Sequence, residues 1–271
     1  MSVSATYDDF AAVGPDLPRR FSQPRIAEMI ADSLRRRILD GTLADGDVLP
    51  KVDDLLQEFP VSKPSIREAM RILETEGLIS VRRGNVGGAV IHTPKPNTAG
   101  YILGMVLQMR RTPVTDLAEA LADFEPACAA KAASSPRRGE ELVPLLNRLN
   151  HELADNLGDV TTFTHLARRF HEAVIRGCGN ATMALVAGSL GTLWSNHELK
   201  WAASTEDRDP TQEAREAVLR THIKITEAIE EGDSARARHL AARHLEDTQR
   251  YVLEQTSKQL ISVEGLPKGP W

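Results

Sequence analysis

Apolar side chains return every three or four positions along most of this 271-residue chain, and the period shortens in one brief interval near residue 80. Ile26, Ile30, Leu34, Ile38 and Leu39 mark a first amphipathic helix that stops at Asp40-Gly41. Asp45-Gly46-Asp47 makes a turn before Leu49-Pro50, and a short second helix over 51–58 directs Leu55 and Leu56 inward. Phe59-Pro60-Val61 is the next turn. Ser62 caps a third helix with its side-chain oxygen. Pro64 sits in that helix's first turn, where a missing N–H costs little, and Gly77 ends it. Two β-like runs, 78–82 and 89–92, flank Gly84-Asn85-Val86-Gly87-Gly88. Helix, helix, turn, helix, hairpin is the order of a winged helix-turn-helix.

Beyond residue 98 the pattern is helical throughout, over 113–133, 140–156, 160–178, 181–201, 210–231 and 234–260. The breaks are short: Ser134-Ser135-Pro136, Leu157-Gly158-Asp159, Gly177-Cys178-Gly179-Asn180, Asp207-Arg208-Asp209-Pro210 and Gly232-Asp233. Long amphipathic helices with short breaks pack as antiparallel neighbours. The expected fold is therefore mainly α: an N-terminal winged helix-turn-helix followed by an all-α antiparallel helical bundle. The expected divisions are a flexible arm over 1–21, the winged head over 22–93, a linker over 94–97, the helical body over 98–260 and a loose tail over 261–271.

Composition adds constraints. The length exceeds the usual single domain, and 41% hydrophobic with 26% charged residues supports a packed core. Cys128 and Cys178 lack metal-type spacing, and a structural disulfide is not expected. No basic-then-apolar leader opens the chain, and the longest apolar run, 101–109, contains Gly104 and Gln108 and is too short to span a bilayer. A cytoplasmic protein is expected.

Net charge is -5, so any affinity for nucleic acid must come from local placement. Between 24 and 95 there are 11 basic and 11 acidic residues, which leaves the head less acidic than the remainder. Lys63, Arg67 and Arg71 recur every four residues and share one helical face, while Ile66, Met70 and Leu73 lie opposite. One side anchored and the other carrying cationic forks is what reading a major groove requires. Ser62 and Ser65 add short donors at the helix N-terminus, where free backbone N–H groups favour phosphate. Arg82, Arg83 and Gly84 put a basic tip on the wing.

In this ordered set the chain resembles the GntR family of bacterial transcription regulators. The residues that carry the likeness are Ile38, Gly41-Thr42-Leu43, Gly46-Asp47-Val48-Leu49-Pro50, Val61 through Arg71, Leu73 and Glu76-Gly77-Leu78-Ile79. The resemblance implies that Lys63, Ser65 and Arg67 touch operator bases or phosphates and that Arg83-Gly84 enters the minor groove. The chain departs from the family at Lys51-Val52-Asp53-Asp54, where relatives carry a Glu-Arg-Glu-like run. Asp53 cannot make that arginine's contact.

The helical body is similar to the FCD-type effector domain of FadR-like members, through Glu119, Glu125, Ala129-Ala130, Phe170-His171, Gly179-Asn180, His222, Ala228-Ile229, Gly232-Asp233, Ala237 and His244-Leu245. Many such domains hold a divalent metal with one Asp and three His. The resemblance places the histidines at His171, His222 and His244, with zinc, nickel or manganese compatible with imidazole donors. The Asp position is Ala167 here, and His165 is offset from that face. An arginine that clamps acidic effectors in relatives is replaced by Leu121. Both losses argue against a simple organic acid held by metal plus arginine.

His151, His165, His197 and His239 read as surface or supporting residues, Trp194 and Trp201 as core or dimer packing, and Cys128 as buried packing. Arg137-Arg138 and Arg236 with Arg238 read as solvated helix charges. The sequence thus points to a dimeric regulator. It would bind palindromic double-stranded operator DNA with half-sites ~34 Å apart and respond to a small-molecule effector in the helical body. Two other classes stay open: a metal-dependent enzyme on a three-histidine bundle with an accessory winged helix, and an adaptor that uses the winged helix for protein contacts.

Overall fold

The computed structural model describes residues 25–82, 88–204 and 212–266. The chain forms two compact units, Met1–Ile91 and His92–Trp271. The arm expected over 1–21 lies outside the described residues.

In the first unit, α1 (Ile26–Leu39), α2 (Val52–Glu58) and α3 (Lys63–Thr75) precede an antiparallel pair, β1 (Ile79–Arg82) and β2 (Gly88–Ile91), in register Ile79 with Ile91 and Arg82 with Gly88. Val48 bridges to Val90, and the Leu49 N–H donates to the Ala89 carbonyl at 2.8 Å, which ties the inter-helix turn to the wing. Leu34, Leu55, Ile66, Ala69, Leu73, Ile79 and Ile91 are buried together. The α3 helix starts where expected: Ser62 Oγ accepts from the Ser65 N–H. It ends at Gly77, whose φ of 75° suits a residue without Cβ.

Two α1 positions differ from the expected inward stripe. Ile26 and Leu39 are 55% and 65% exposed, while Ala27, Ile30, Ala31, Leu34 and Ile38 are buried. At about 100° per residue the buried set centres on Ala27 and Leu34, and Ile26 and Leu39 fall roughly 100° or more to either side.

The second unit contains α4 (Pro96–Met109), α5 (Val114–Ser134), a single π turn (Arg138–Leu142), α6 (Val143–Asp155), α7 (Val160–Arg176), α8 (Ala181–Ser204), α9 (Gln212–Glu231) and α10 (Ser234–Thr256). Asp159 and Asp233 cap α7 and α10 by accepting from the Thr162 and Arg236 N–H groups. The longest pairing is antiparallel, α5 against α10, closed at one end by the Val114 N–H donating to the Gln259 carbonyl at 3.0 Å. One core links α6, α7, α9 and the C-terminal half of α5, and a second joins the start of α5 to α8 and the end of α10.

Two boundaries move. Pro96 and Asn97, expected as linker, open α4, because proline at a first helical position loses no hydrogen bond. The tail expected to be loose from 261 is packed as far as 266: Ile261 and Leu266 are buried beside Val114, Trp194 and Trp201.

Candidate functional site

On the first unit, α3 turns Ile66, Ala69 and Leu73 into the core and leaves Lys63, Arg67 and Arg71 exposed on the other side. The three cations are not equivalent. Lys63 Nζ lies 2.8 Å from Asp53 Oδ1, and that lysine holds the Asp53 carboxyl below its ordinary range. Arg71 faces Glu68 at 3.3 Å, an exposed pair that contributes little. Arg67 has no ion-pair or hydrogen-bond partner among the described residues. The hydroxyls of Ser62 and Ser65 are 2.9 Å apart and are engaged in capping.

Other arginines of this unit serve the fold. Arg35 donates from Nε to Glu76 at 2.7 Å, and Arg37 pairs with Glu58 at 2.8 Å, fastening α1 to the end of α3 and to α2. Arg83 and Gly84, expected at the wing tip, lie outside the described residues.

In the second unit His171, His222 and His244, from α7, α9 and α10, present ligand atoms within 4.8 Å of one another. His244 Nε2 is 3.2 Å from His222 Nε2 and 3.3 Å from His171 Nε2. His222 lies flat on Phe170, with ring centroids 4.0 Å apart and planes 5° from parallel. Burial, with the neighbouring imidazoles, pushes His222 well below its ordinary value and His244 down to about 3. Burial is the largest single influence on His171 and opposes its protonation, but the carboxylates of Glu125, Glu198 and Glu172 together outweigh it and leave that imidazole above its ordinary value.

Glu125 was not foreseen in this role. It is buried on α5, and His171 Nδ1–H donates to its Oε1, so Nε2 is the nitrogen turned to the other two rings. A carboxylate on the buried stripe that runs through Leu117, Leu121, Cys128 and Ala132 was the available signal. A half-buried carboxylate, Glu198 on α8, lies close enough for His171 and Glu125 to influence it, and burial raises its carboxyl.

The three nitrogens cannot satisfy one another with protons. His244 Nε2 offers either one lone pair or one proton to two neighbours. His222 Nδ1 is buried without a partner, so one nitrogen of that ring is left over in either tautomer. A cation between the rings would take all three Nε2 lone pairs. With metal–nitrogen bonds of about 2.1 Å, neighbouring ligands stand ~3.0 Å apart in an octahedron and ~3.4 Å in a tetrahedron, values that bracket the two spacings measured from His244. The histidines therefore fit a divalent metal.

The Ala167 position offers no carboxylate and packs against the core, and Leu121 is buried in the neighbouring core. A small recess, partly open to solvent, is lined by Glu125, Phe170, His171, Val174, Ile225, Ala241 and His244. His197, expected at the surface or in a supporting place, takes the second: it is buried, with Nε2 3.0 Å from Thr256 Oγ1. Cys128 and Cys178 are buried side by side, and burial with the neighbouring thiol pushes Cys128 up to about 12.

Comparison with known proteins agrees with both halves. The model for bacterial regulatory proteins of the gntR family matches residues 26–88, and the FCD domain model matches 116–247. The HTH-type transcriptional repressors NanR of Salmonella arizonae and Salmonella typhimurium are each 24% identical over 249 residues, covering 89% of this chain and 90% of the relative. The solved structure of Streptococcus agalactiae GntR shares the fold with a TM-score of 0.63, at 24% identity over 83% of this chain and 99% of that one. The chain belongs to the GntR family of bacterial regulatory proteins and is a transcription regulator whose helical half is an FCD domain.

Proposed function

We propose that this regulator is a repressor that binds a palindromic operator as a homodimer, in the cytoplasm, and answers to a small metabolite at the FCD domain. The repressor sense is supported by the name that the NanR relatives carry. The observation that carries the DNA reading is Arg67: a guanidinium with no partner among the described residues, one turn inside a capped helix whose opposite face is buried. It would fork onto a base edge or phosphate, with Arg71 and the Ser62–Ser65 turn on the adjoining backbone. The wing contact by Arg83 and Gly84 belongs to the same reading.

His171, His222 and His244 would hold one zinc, nickel or manganese ion, with Glu125 fixing the His171 tautomer. Such a cation supplies a Lewis-acidic anchor for an oxygen donor of the effector. The neutral state of His222 and His244 keeps their lone pairs available near pH 7.

The enzyme alternative has less support. Glu125, the carboxylate nearest the cluster, is already bonded to His171. The family match points to regulation.

Fluorescence anisotropy on duplexes selected from the source genome tests the DNA reading. Arg67→Ala should weaken the selected duplex by about 5- to 150-fold and flatten preference at one base position in each half-site. Equal affinity of wild type and Arg67→Ala would exclude Arg67 as a reader and favour the adaptor.

A further inference from the structure

Polar groups interrupt the otherwise apolar contact between α6 and α9. Asn150 is buried on α6 in the stretch that also buries Leu146, Leu149 and Leu153. On α9, Thr226 and His222 are buried beside Ile225, Ala228 and Ile229. An amide in such a place costs free energy unless its hydrogen bonds are made. One half of this amide is accounted for. Thr226 Oγ1 donates to the His222 carbonyl at 2.9 Å, so its proton is committed and it can only accept from Asn150. Asn150 Nδ2 supplies that bond at 3.0 Å. The orientation of the amide is thereby fixed, because a flipped amide would set its oxygen against an oxygen with no proton to give.

The other half is open. Four buried side-chain atoms among the described residues have no hydrogen-bond partner: Thr98 Oγ1, Asn150 Oδ1, His222 Nδ1 and Gln249 Nε2. Thr98 belongs to α4 and Gln249 to α10, helices whose main neighbours are α8 and α5. Asn150 Oδ1 is an acceptor only. Of the other three, His222 Nδ1 alone belongs to the contact of α6 with α9, and it can donate. His222 lies one helical turn before Thr226, so ~6 Å separates their Cβ atoms. The amide already touches Thr226, and a small turn of it, or one water, closes the remaining gap.

The geometry points to Asn150 as the residue that positions His222: its Oδ1 accepts from Nδ1–H and so leaves the Nε2 lone pair turned to the other two imidazoles, an inference that rests on the metal reading above. Which ring nitrogen of a histidine keeps its proton is set by the bond that the other makes. With the proton on Nε2, His222 would aim a donor at His244 Nε2, 3.2 Å away, and hold no lone pair for a cation. Phe170, stacked flat on the ring, fixes its plane but has no polar atom with which to select a tautomer. Asn150 thus does for His222 what Glu125 does for His171, without adding charge to the site.

Nuclear magnetic resonance of the metal-free full chain with ¹⁵N-labelled histidine tests this, with the His222 signals assigned by their loss in His222→Gln. Wild-type His222 should carry its proton on Nδ1. Asn150→Leu should move the proton toward Nε2 and raise the zinc dissociation constant about 10-fold or more in calorimetric titration. Its urea midpoint should shift little, because the amide it removes was half unsatisfied. A merely structural role would instead lower the midpoint and leave the tautomer where it was. If Asn150→Leu does not fold, Asn150→Asp replaces it: the variant keeps an acceptor, so Nδ1–H and zinc binding should both persist. An Nε2–H tautomer in wild type, an unchanged tautomer and zinc constant in a folded Asn150→Leu, or loss of Nδ1–H in a folded Asn150→Asp would each overturn the assignment. A wild-type chain that binds no zinc, yet whose His222 proton moves in Asn150→Leu, overturns the metal reading and leaves the hold of Asn150 on His222 standing.

Discussion

Replacing Glu125 by Gln tests the metal centre at a residue that would not itself be a ligand. The substitution keeps size and an acceptor oxygen but removes the charge that leans on His171. Glu125 is 6% exposed and the His171 side chain 24% exposed, so the pair is shielded from water on the glutamate side and only partly on the histidine side. Groups in this supporting position typically govern metal affinity by about 10- to 100-fold, or ~1.4–2.8 kcal/mol. Partial exposure of the ring favours the lower end of that range. The effect also depends on pH. Because Glu125 holds His171 above its ordinary value, the metal must displace a proton, and Gln weakens the competitor along with the ligand. Calorimetric titration with zinc should therefore show the larger penalty at pH 8 and a smaller one at pH 6. An unchanged dissociation constant at pH 8, or a penalty equal at both values, would refute the reasoning.

Asp53→Ala frees Lys63 and removes a negative charge beside the reading helix, so operator affinity should rise several-fold and the slope of log affinity against log salt should steepen by about one. In metal-free protein, His244 is neutral when folded, with its value at about 3, and unfolded histidine titrates near 6.5. The unfolded chain thus binds more protons below pH 6.5. Stability should be fully present above that value and fall by ~2 kcal/mol between pH 6.5 and 5 from this group alone, with His171, shifted the other way, contributing the opposite sign. Urea denaturation across that window measures it. Gly100→Ala should cost ~1–3 kcal/mol against the Ser189 carbonyl, while Gly191→Ala, with nothing within 4 Å, should gain up to ~1 kcal/mol, both read from urea midpoints. Cys128, buried and pushed up to about 12, should resist iodoacetamide at pH 8 until the chain is unfolded.

The head was legible because local rules decide it. Ser62 caps, Gly77 stops, and the four-residue repeat of Lys63, Arg67 and Arg71 fixes an exposed face without knowledge of the rest. What escaped the sequence depends on contacts between distant residues. That Lys63 is held by Asp53, while Arg67 has no partner among the described residues, is decided by how α2 meets α3. His171, His222 and His244 were found by resemblance, since their separation along the chain gives no metal-type spacing. Glu125 was named only as a matching residue, because its use appears once α5 lies beside α7. His197 was left between surface and support for a similar reason: a polar residue on a mostly apolar helix gives no sign that Thr256 waits on α10. The packed stretch up to Leu266 was unreadable because Gly265 and the sparse apolar residues there form no periodic pattern.

The most direct measurement of the central claim is selection of genomic fragments by the full-length chain, with the recovered fragments sequenced and their affinities compared with bulk duplex. The account requires enrichment of a two-fold symmetric site, bound about 10³-fold or more above bulk at physiological salt, and a loss of that preference in Arg67→Ala. Fragments recovered in proportion to their abundance, with wild type and Arg67→Ala alike, would contradict it.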